Sequence, residues 1–331
     1  MSGVTGLWRK LQGFSTALWF LCVCAPDMVF APPPPTLELS GQPQAPSPQN
    51  TPIAEGLPAA LARIMTGRSG TAVVLDVASG QPIASYRLDI AARRTAPPGS
   101  AIKPFTLLAL LESGKLRAEE PFVCPRRLRV GGRRLDCTHP HTPRAMDGVL
   151  ALAYSCNTYF AQMAMRLTDE ELGRTLSRAG LNSVTGLAPE EASGTLVPSR
   201  SPAERQLLAL GHEPIAVTPL ALAVAYRKLA AALRPENSPS AALHGVLEGL
   251  ADSAAYGMGR GATVEGMEIA GKTGTAGDGA GGTHAWFAGF APARQPEVVV
   301  LVFLERGTGG ADAAPLAAEI FAAWAAGKGA K

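Results

Sequence analysis

Strand-like runs stand at both ends of the foldable part of this chain, and a long helical block separates them. The stretch TAVVLDVASGQPIASYRL, starting at Thr71, has two apolar runs around the turn Ala78-Ser79-Gly80-Gln81 and reads as a hairpin. MEIAGKTGTA, HAWFAGFAP and EVVVLVFLERG follow near the far end, separated by Gly-rich or Pro-containing turns. Between Arg144 and Leu250 the patterning is helical: MDGVLALAYSC, TYFAQMAMRL, DEELGRTLSRAG, TPLALAVAYRKLAAAL and SAALHGVLEGLADS. This order fits an α+β fold in which one antiparallel sheet is completed from both termini and an all-helical subdomain, about 115–262, is inserted. FTLLALLESGK is apolar on nearly every face and stops at Gly114, so it should be a buried central helix. It follows directly from the second strand and should therefore begin at the cleft between the two parts, where ligands bind. APLAAEIFAAW closes the chain as a last helix.

The first fifty residues are of a different kind. Arg9 and Lys10 precede an apolar stretch from about Phe14 to Ala25, near the length of an export signal and short for a membrane span. Residues 1–31 are expected to be a signal peptide or an N-terminal membrane anchor; Val29 and Ala31 suit cleavage, but Pro32 follows directly. Cys22 and Cys24 do not make a lipoprotein signal, because Val23 stands where a small residue is needed. Residues 32–56 open with four prolines and continue Pro-rich to Pro52, which makes a stiff, extended spacer. An export segment and a spacer put the folded part, 57–328, outside the cytoplasm. Hydrophobic residues at 47% and charged residues at 17% exclude wholesale disorder, and a net charge of +3 is too mild to imply a nucleic-acid partner.

Three short motifs occur in order. Ser100 and Lys103, in PPGSAIKPF, form S-x-x-K; Ser155 and Asn157, in YSCNTYF, form S-x-N; Lys272, Thr273, Gly274 and Thr275, in AGKTGTA, form K-T-G-T. Alone, the first two read as helix caps and the third as a plain strand turn. Residues three apart on a helix share a face, so Lys103 can reach the Ser100 hydroxyl. A serine hydroxyl needs such a base to act as a nucleophile. A lysine near a helix N-terminus and close to a second cation, Lys272, would be pushed toward neutrality, as a general base requires.

The ordered set resembles the signature of the penicillin-binding proteins and serine β-lactamases, and the resemblance to the penicillin-binding transpeptidase domain runs over essentially all of residues 57–327. VVLDVASGQPIAS looks like that family's opening hairpin, SCNTYFAQMA its second-motif helix, VTPLALAVAYRKLA the helix that follows, and HAWFAGFAP the strand after K-T-G. The resemblance implies a peptidoglycan D,D-transpeptidase, or with water as acceptor a carboxypeptidase, that acts on D-Ala-D-Ala stem peptides and is acylated by β-lactams. Ser100 would be the nucleophile and Lys103 its base, and Ser155 would relay the proton to the leaving amine. Asn157 would bond Lys103 and the substrate backbone; Lys272, Thr273 and Thr275 would bind the terminal carboxylate. Gly274 would keep the strand clear beside the acyl carbon, and the N–H groups of Ser100 and Thr275 would form the oxyanion hole. No cofactor is needed for this chemistry. A class D-like β-lactamase and a β-lactam-sensing domain are the rivals; Asn157, where class D enzymes usually carry an apolar residue, and the short N-terminal region weigh against them. Neither a large N-terminal pedestal nor a glycosyltransferase domain is expected, and any cell-wall synthesis partner is left unspecified.

Trp286 and Phe287 read as core or cleft wall and His284 as a loop histidine. Arg126, Arg127, Arg129, Arg133 and Arg134 flank Gly131-Gly132 in a hairpin whose default reading is a solvated basic face, with contact to anionic wall or lipid as the alternative. Cys124 and Cys137 flank that hairpin. They are expected either to form a disulfide or, with His141 (His139 stands beside it) and with Cys156 from the second motif, to hold a structural zinc.

Overall fold

The computed structural model describes residues 56–117, 119–141, 145–234 and 237–329. The expected export segment and all but the last residue of the Pro-rich spacer lie outside them. Helix α1 (Leu57–Met65) leads into strands β1 (Gly70–Asp76) and β2 (Pro82–Tyr86), then α2 (Leu88–Arg93). A 3-10 turn (Gly99–Ile102) runs directly into α3 (Lys103–Glu112). The helical part carries a small hairpin, β3 (Arg129–Val130) and β4 (Arg133–Arg134), then α4 (Gly148–Ala153), α5 (Asn157–Met163) and α6 (Asp169–Ala179). β5 (Thr195–Leu196) pairs with β6 (Ile215–Ala216) around α7 (Pro202–Ala209), and α8 (Pro219–Ala232) and α9 (Ala241–Ala255) complete the block. β7 (Ala270–Gly277), β8 (Thr283–Ala291), β9 (Val298–Leu304) and α10 (Ala314–Gly329) return the chain to the sheet.

The five long strands form one antiparallel sheet in the order β2-β1-β9-β8-β7, which closes the N-terminal hairpin onto the C-terminal strands as expected. β9, VVVLVFL, is buried at every position because helices cover both faces of the sheet; a doubly covered strand reads as a continuous apolar run instead of an alternating one. Side chains still alternate. Val299, Leu301 and Phe303 join Val73 and Leu75 in the core shared with α3 and α8. Val300 and Val302 join Ala72 and Val74 against Leu61 and Met65 of α1 and Ile320 and Phe321 of α10.

The start of α3 is held from several sides. Tyr226 of α8 donates its hydroxyl to the Ala101 carbonyl at 2.8 Å and meets Phe105 edge-on, with ring centroids 5.6 Å apart. Thr106 donates to the Ala209 carbonyl at the end of α7. Ser100 lies on the 3-10 turn and Lys103 opens α3 proper, with Pro104 in the first helical turn, where no intrahelical N–H is lost. His284 is no loop histidine. It sits in β8, 4% exposed, with Nδ1 at 2.9 Å from the Glu305 carbonyl and Nε2 at 3.2 Å from Arg94. The strand places it one pair beyond Thr275, opposite Ala276.

Candidate active site

All three motifs reach one cleft, and Lys103 is where the first two meet. Its side chain is fully buried, and Nζ lies 2.6 Å from Asn157 Oδ1, 2.8 Å from the Ser155 carbonyl and 3.3 Å from Ser155 Oγ. The Phe160 ring stands 5.3 Å from the same amine. Two carbonyl acceptors can take the two hydrogens of a neutral amine and leave its lone pair free. Burial pushes the Lys103 pKa down to about 8, while the nearby Cys156 and Cys137 thiols oppose the shift. The cause is thus chiefly desolvation, where the sequence pointed to a helix terminus and a second cation. Lys272, also fully buried, is driven well below the usual lysine range by desolvation and then by the charge on Lys103.

Local structure explains how the second motif is aimed. α4 is capped by Asp147, whose carboxylate accepts from Leu150 N at 2.8 Å. The chain then reverses through Ser155, held at φ 56° in the left-handed region, before Asn157 opens α5. A non-glycine residue in that region is strained and must be held by its surroundings; here the Lys103 amine on the Ser155 carbonyl does so. Asn157 is held from the other end by the β3–β4 hairpin, since its Nδ2 donates to the Leu135 carbonyl at 3.1 Å and to that of Asp136 at 3.4 Å.

The third motif lies against the first. A Cβ on Gly274 would stand 2.3 Å from the Pro98 carbonyl oxygen and 3.1 Å from Ala101, and a Cβ on Gly99 would stand 2.6 Å from the Thr275 carbonyl oxygen. The two glycines therefore let β7 and the Ser100 turn touch backbone to backbone. For Gly274 this replaces the expected reason, clearance for substrate. Thr275 is exposed to the cleft, and its Oγ1 accepts from Gly309 N at 3.0 Å. Ser100 is half-buried, and its hydroxyl makes no hydrogen bond among the described residues. A cavity of about 400 Å³ opens beside Tyr154, Tyr256, Arg260 and Gly310, the first of which precedes Ser155 in the chain.

Sequence reasoning passed over His212. It follows Gly211, whose carbonyl accepts from Gly99 N at 2.9 Å, and its pKa is lowered to about 4 by burial and by the charges on Lys103 and Arg133. Only its place beside the Ser100 turn reveals it; GHEP carries no motif.

Next to Asn157 lies a second cluster. One ligand atom each from Cys124, Cys137, His139 and Cys156 falls within 4.8 Å of all the others. The sulfurs are 3.5 Å (Cys124–Cys156) and 3.7 Å (Cys124–Cys137 and Cys137–Cys156) apart, and His139 Nε2 is 3.5 Å from Cys124 Sγ. His141 is exposed and outside this cluster; the histidine of the set is His139, 1% exposed, with Nδ1 turned to the Pro140 carbonyl at 2.7 Å. No Cys124–Cys137 disulfide is formed, and the three thiols are free. The hydrogen bond between Cys137 and Cys156 pushes the Cys137 thiol far down and Cys156 up, with burial adding to the rise of Cys156.

Comparison with known proteins places this geometry. The family described as the penicillin binding protein transpeptidase domain matches residues 70–323. The peptidoglycan D,D-transpeptidase PbpA of Mycobacterium tuberculosis is 30% identical over 280 residues, covering 72% of this chain and 56% of that protein. The stage V sporulation protein D of Bacillus subtilis is 29% identical, with 71% and 43% covered. The chain thus spans about half the length of these relatives. Among solved structures, Pseudomonas aeruginosa PBP2 superposes with a TM-score of 0.70 at 26% identity, over 81% of this chain and 76% of that one. A match across the whole sheet and its helical insert, joined to two motifs that meet at one buried lysine and a third packed against the Ser100 turn, means that the chain belongs to the penicillin-binding protein transpeptidase family.

Proposed function

We propose that this domain is a serine D,D-transpeptidase of peptidoglycan stem peptides, acting outside the cytoplasm. The observation that carries the reading is the fully buried Lys103 amine, bonded to both residues of the second motif one helical turn from Ser100. With its pKa near 8, about a tenth of Lys103 is neutral at pH 7, far more than for an ordinary lysine. The neutral amine takes the Ser100 proton as Oγ attacks the penultimate D-Ala carbonyl. The oxyanion forms against the N–H groups of Ser100 and Thr275, a donor pair of the kind worth about 3 kcal/mol each. Ser155, whose Oγ touches Lys103 Nζ, passes the proton to the departing D-Ala. Thr273 and the exposed Thr275, backed by Lys272, receive the peptide's terminal carboxylate. An amine from a second stem then attacks the acyl-enzyme and restores Ser100. Incubation with a D-Ala-D-Ala pentapeptide and an amine acceptor tests this. Release of D-Ala with a product of acyl-acceptor mass supports it, and release with hydrolysed donor alone means a carboxypeptidase.

We further propose that Cys124, Cys137, His139 and Cys156 hold a structural zinc. A tetrahedron with Zn–S bonds of about 2.3 Å has S···S edges of about 3.8 Å, close to the 3.5–3.7 Å found here. Pro140 fixes the tautomer that leaves His139 Nε2 free, and N–H groups of Arg126 and Thr158 point at sulfur. Four protein ligands leave no open position, so the metal would clamp the second motif, with Cys156 between Ser155 and Asn157, and take no part in the chemistry.

A further inference from the structure

The β3–β4 hairpin carries a charge arrangement that its fold does not require. Arg129 and Arg134 are cross-strand partners and share one face, where like charges directly opposite each other are destabilising. The hairpin is nonetheless seated firmly: Val130 is 2% exposed, Gly131 packs on Ala203 and Leu207 of α7, and Arg133 pairs with Glu213 at 3.2 Å. Asp136 is the one carboxylate on the arginine face. It binds Arg134 through Oδ2 and spends Oδ1 on Leu128 N at 2.9 Å. Arg127 and Arg129 form no ion pair among the described residues, although the Arg127 charge reaches Asp136. Nη1 of Arg126, at the hairpin's base, is shut off from solvent with no hydrogen-bond partner among the described residues. Arg127, Leu128, Arg129, Arg134 and Asp136 line a cavity of about 490 Å³. The carbonyls of Leu135 and Asp136, on the same segment, hold Asn157, so this cavity adjoins the second motif.

We propose that the arginine cavity is a subsite for a carboxylate on the wall peptide, one that a stem reaching Ser100 carries past the second motif. The inference rests on the transpeptidase reading above and names the charge of the substrate that this site selects. Planar guanidinium forks match a carboxylate with two parallel hydrogen bonds, and Arg127 and Arg129 keep that capacity free. The lining arginines are exposed, but the cavity shares Asp136 with the segment that holds Asn157, and this nearness to the second motif favours a group carried by the peptide that reaches Ser100 over an extended anionic polymer.

The test compares D-Ala release by the full chain, in detergent, from L-Ala-γ-D-Glu-L-Lys-D-Ala-D-Ala and from the same peptide with the D-Glu carboxylate amidated. The expected kcat/KM ratio of acid to amide is about tenfold at low salt, the scale of one charge-assisted bond at a partly exposed site, and it shrinks as salt is raised. R127Q/R129Q, checked for an unchanged melting temperature, should bring the ratio to one, with the loss in KM. Equal rates on acid and amide with the unaltered protein, or a ratio that survives R127Q/R129Q, would overturn the proposal. So would salt-sensitive binding of poly(glycerol phosphate) that R127Q/R129Q abolishes while the peptides remain undiscriminated. Absence of both D-Ala release and penicillin acylation is a different result, and it would overturn the transpeptidase reading itself.

Discussion

Gly274→Ala tests the contact between the first and third motifs. The new methyl would lie 2.3 Å from the Pro98 carbonyl oxygen and 3.1 Å from both Ala101 N and its Cβ, all part of the turn that carries Ser100. Bringing the first contact to an ordinary separation requires β7 and the turn to part by about 1 Å. Neither side yields easily. β7 is held by eight register pairs with β8, and the turn by Tyr226, by Gly211 and by the helix it begins. Overpacking of this kind costs about 1–3 kcal/mol of stability, a fall in melting temperature of about 2–10 °C for a domain of this size. The larger effect is expected on chemistry, because in the proposed mechanism the acyl carbon sits between Ser100 and Thr275, and a shift near 1 Å is worth about a hundredfold in rate. Acylation by a fluorescent penicillin, followed over time beside a thermal melt, reads both quantities. Acylation within twofold of the unaltered protein would refute the claim that backbone contact at Gly274 sets the site.

In the proposed mechanism only unprotonated Lys103 takes the Ser100 proton, so with its pKa lowered to about 8 the acylation rate should rise about tenfold per pH unit below about 8 and level off above it; a flat profile from pH 6 to 9 would contradict this. Asn157→Ala removes one acceptor from Lys103 and leaves the Leu135 and Asp136 carbonyls unpaired. It should slow acylation more than tenfold and cost about 1–3 kcal/mol in denaturant unfolding. Elemental analysis should find one zinc per chain; His139→Ala should lose it and melt earlier, whereas His141→Ala should keep it, because only His139 faces the thiols.

The sheet, its completion from both termini and the three motifs were readable because each rests on local pattern: apolar strands, glycine-marked turns, and fixed spacing around Ser100, Ser155 and Lys272. What escaped depends on which neighbours the fold supplies. His139 and His141 are two residues apart, and nothing local says that one turns inward beside three sulfurs. Gly274 looks like a residue that clears space for a ligand, yet the space is filled by the Pro98 carbonyl. Lys103 was expected to have its pKa lowered by a nearby cation and a helix end, whereas complete burial does most of the work and the cysteine thiols pull the other way. His284 sat close enough to a glycine-rich turn to pass for a loop residue, and only the β7–β8 register places it inside the sheet.

Intact-mass analysis after exposure to penicillin G, with Ser100→Ala alongside, tests the central claim most directly. The account predicts a single, lasting adduct on the unaltered chain, mapped to the peptide that contains Ser100 and missing from the variant. Rapid penicillin turnover with no adduct, or an adduct that persists in Ser100→Ala, would contradict it.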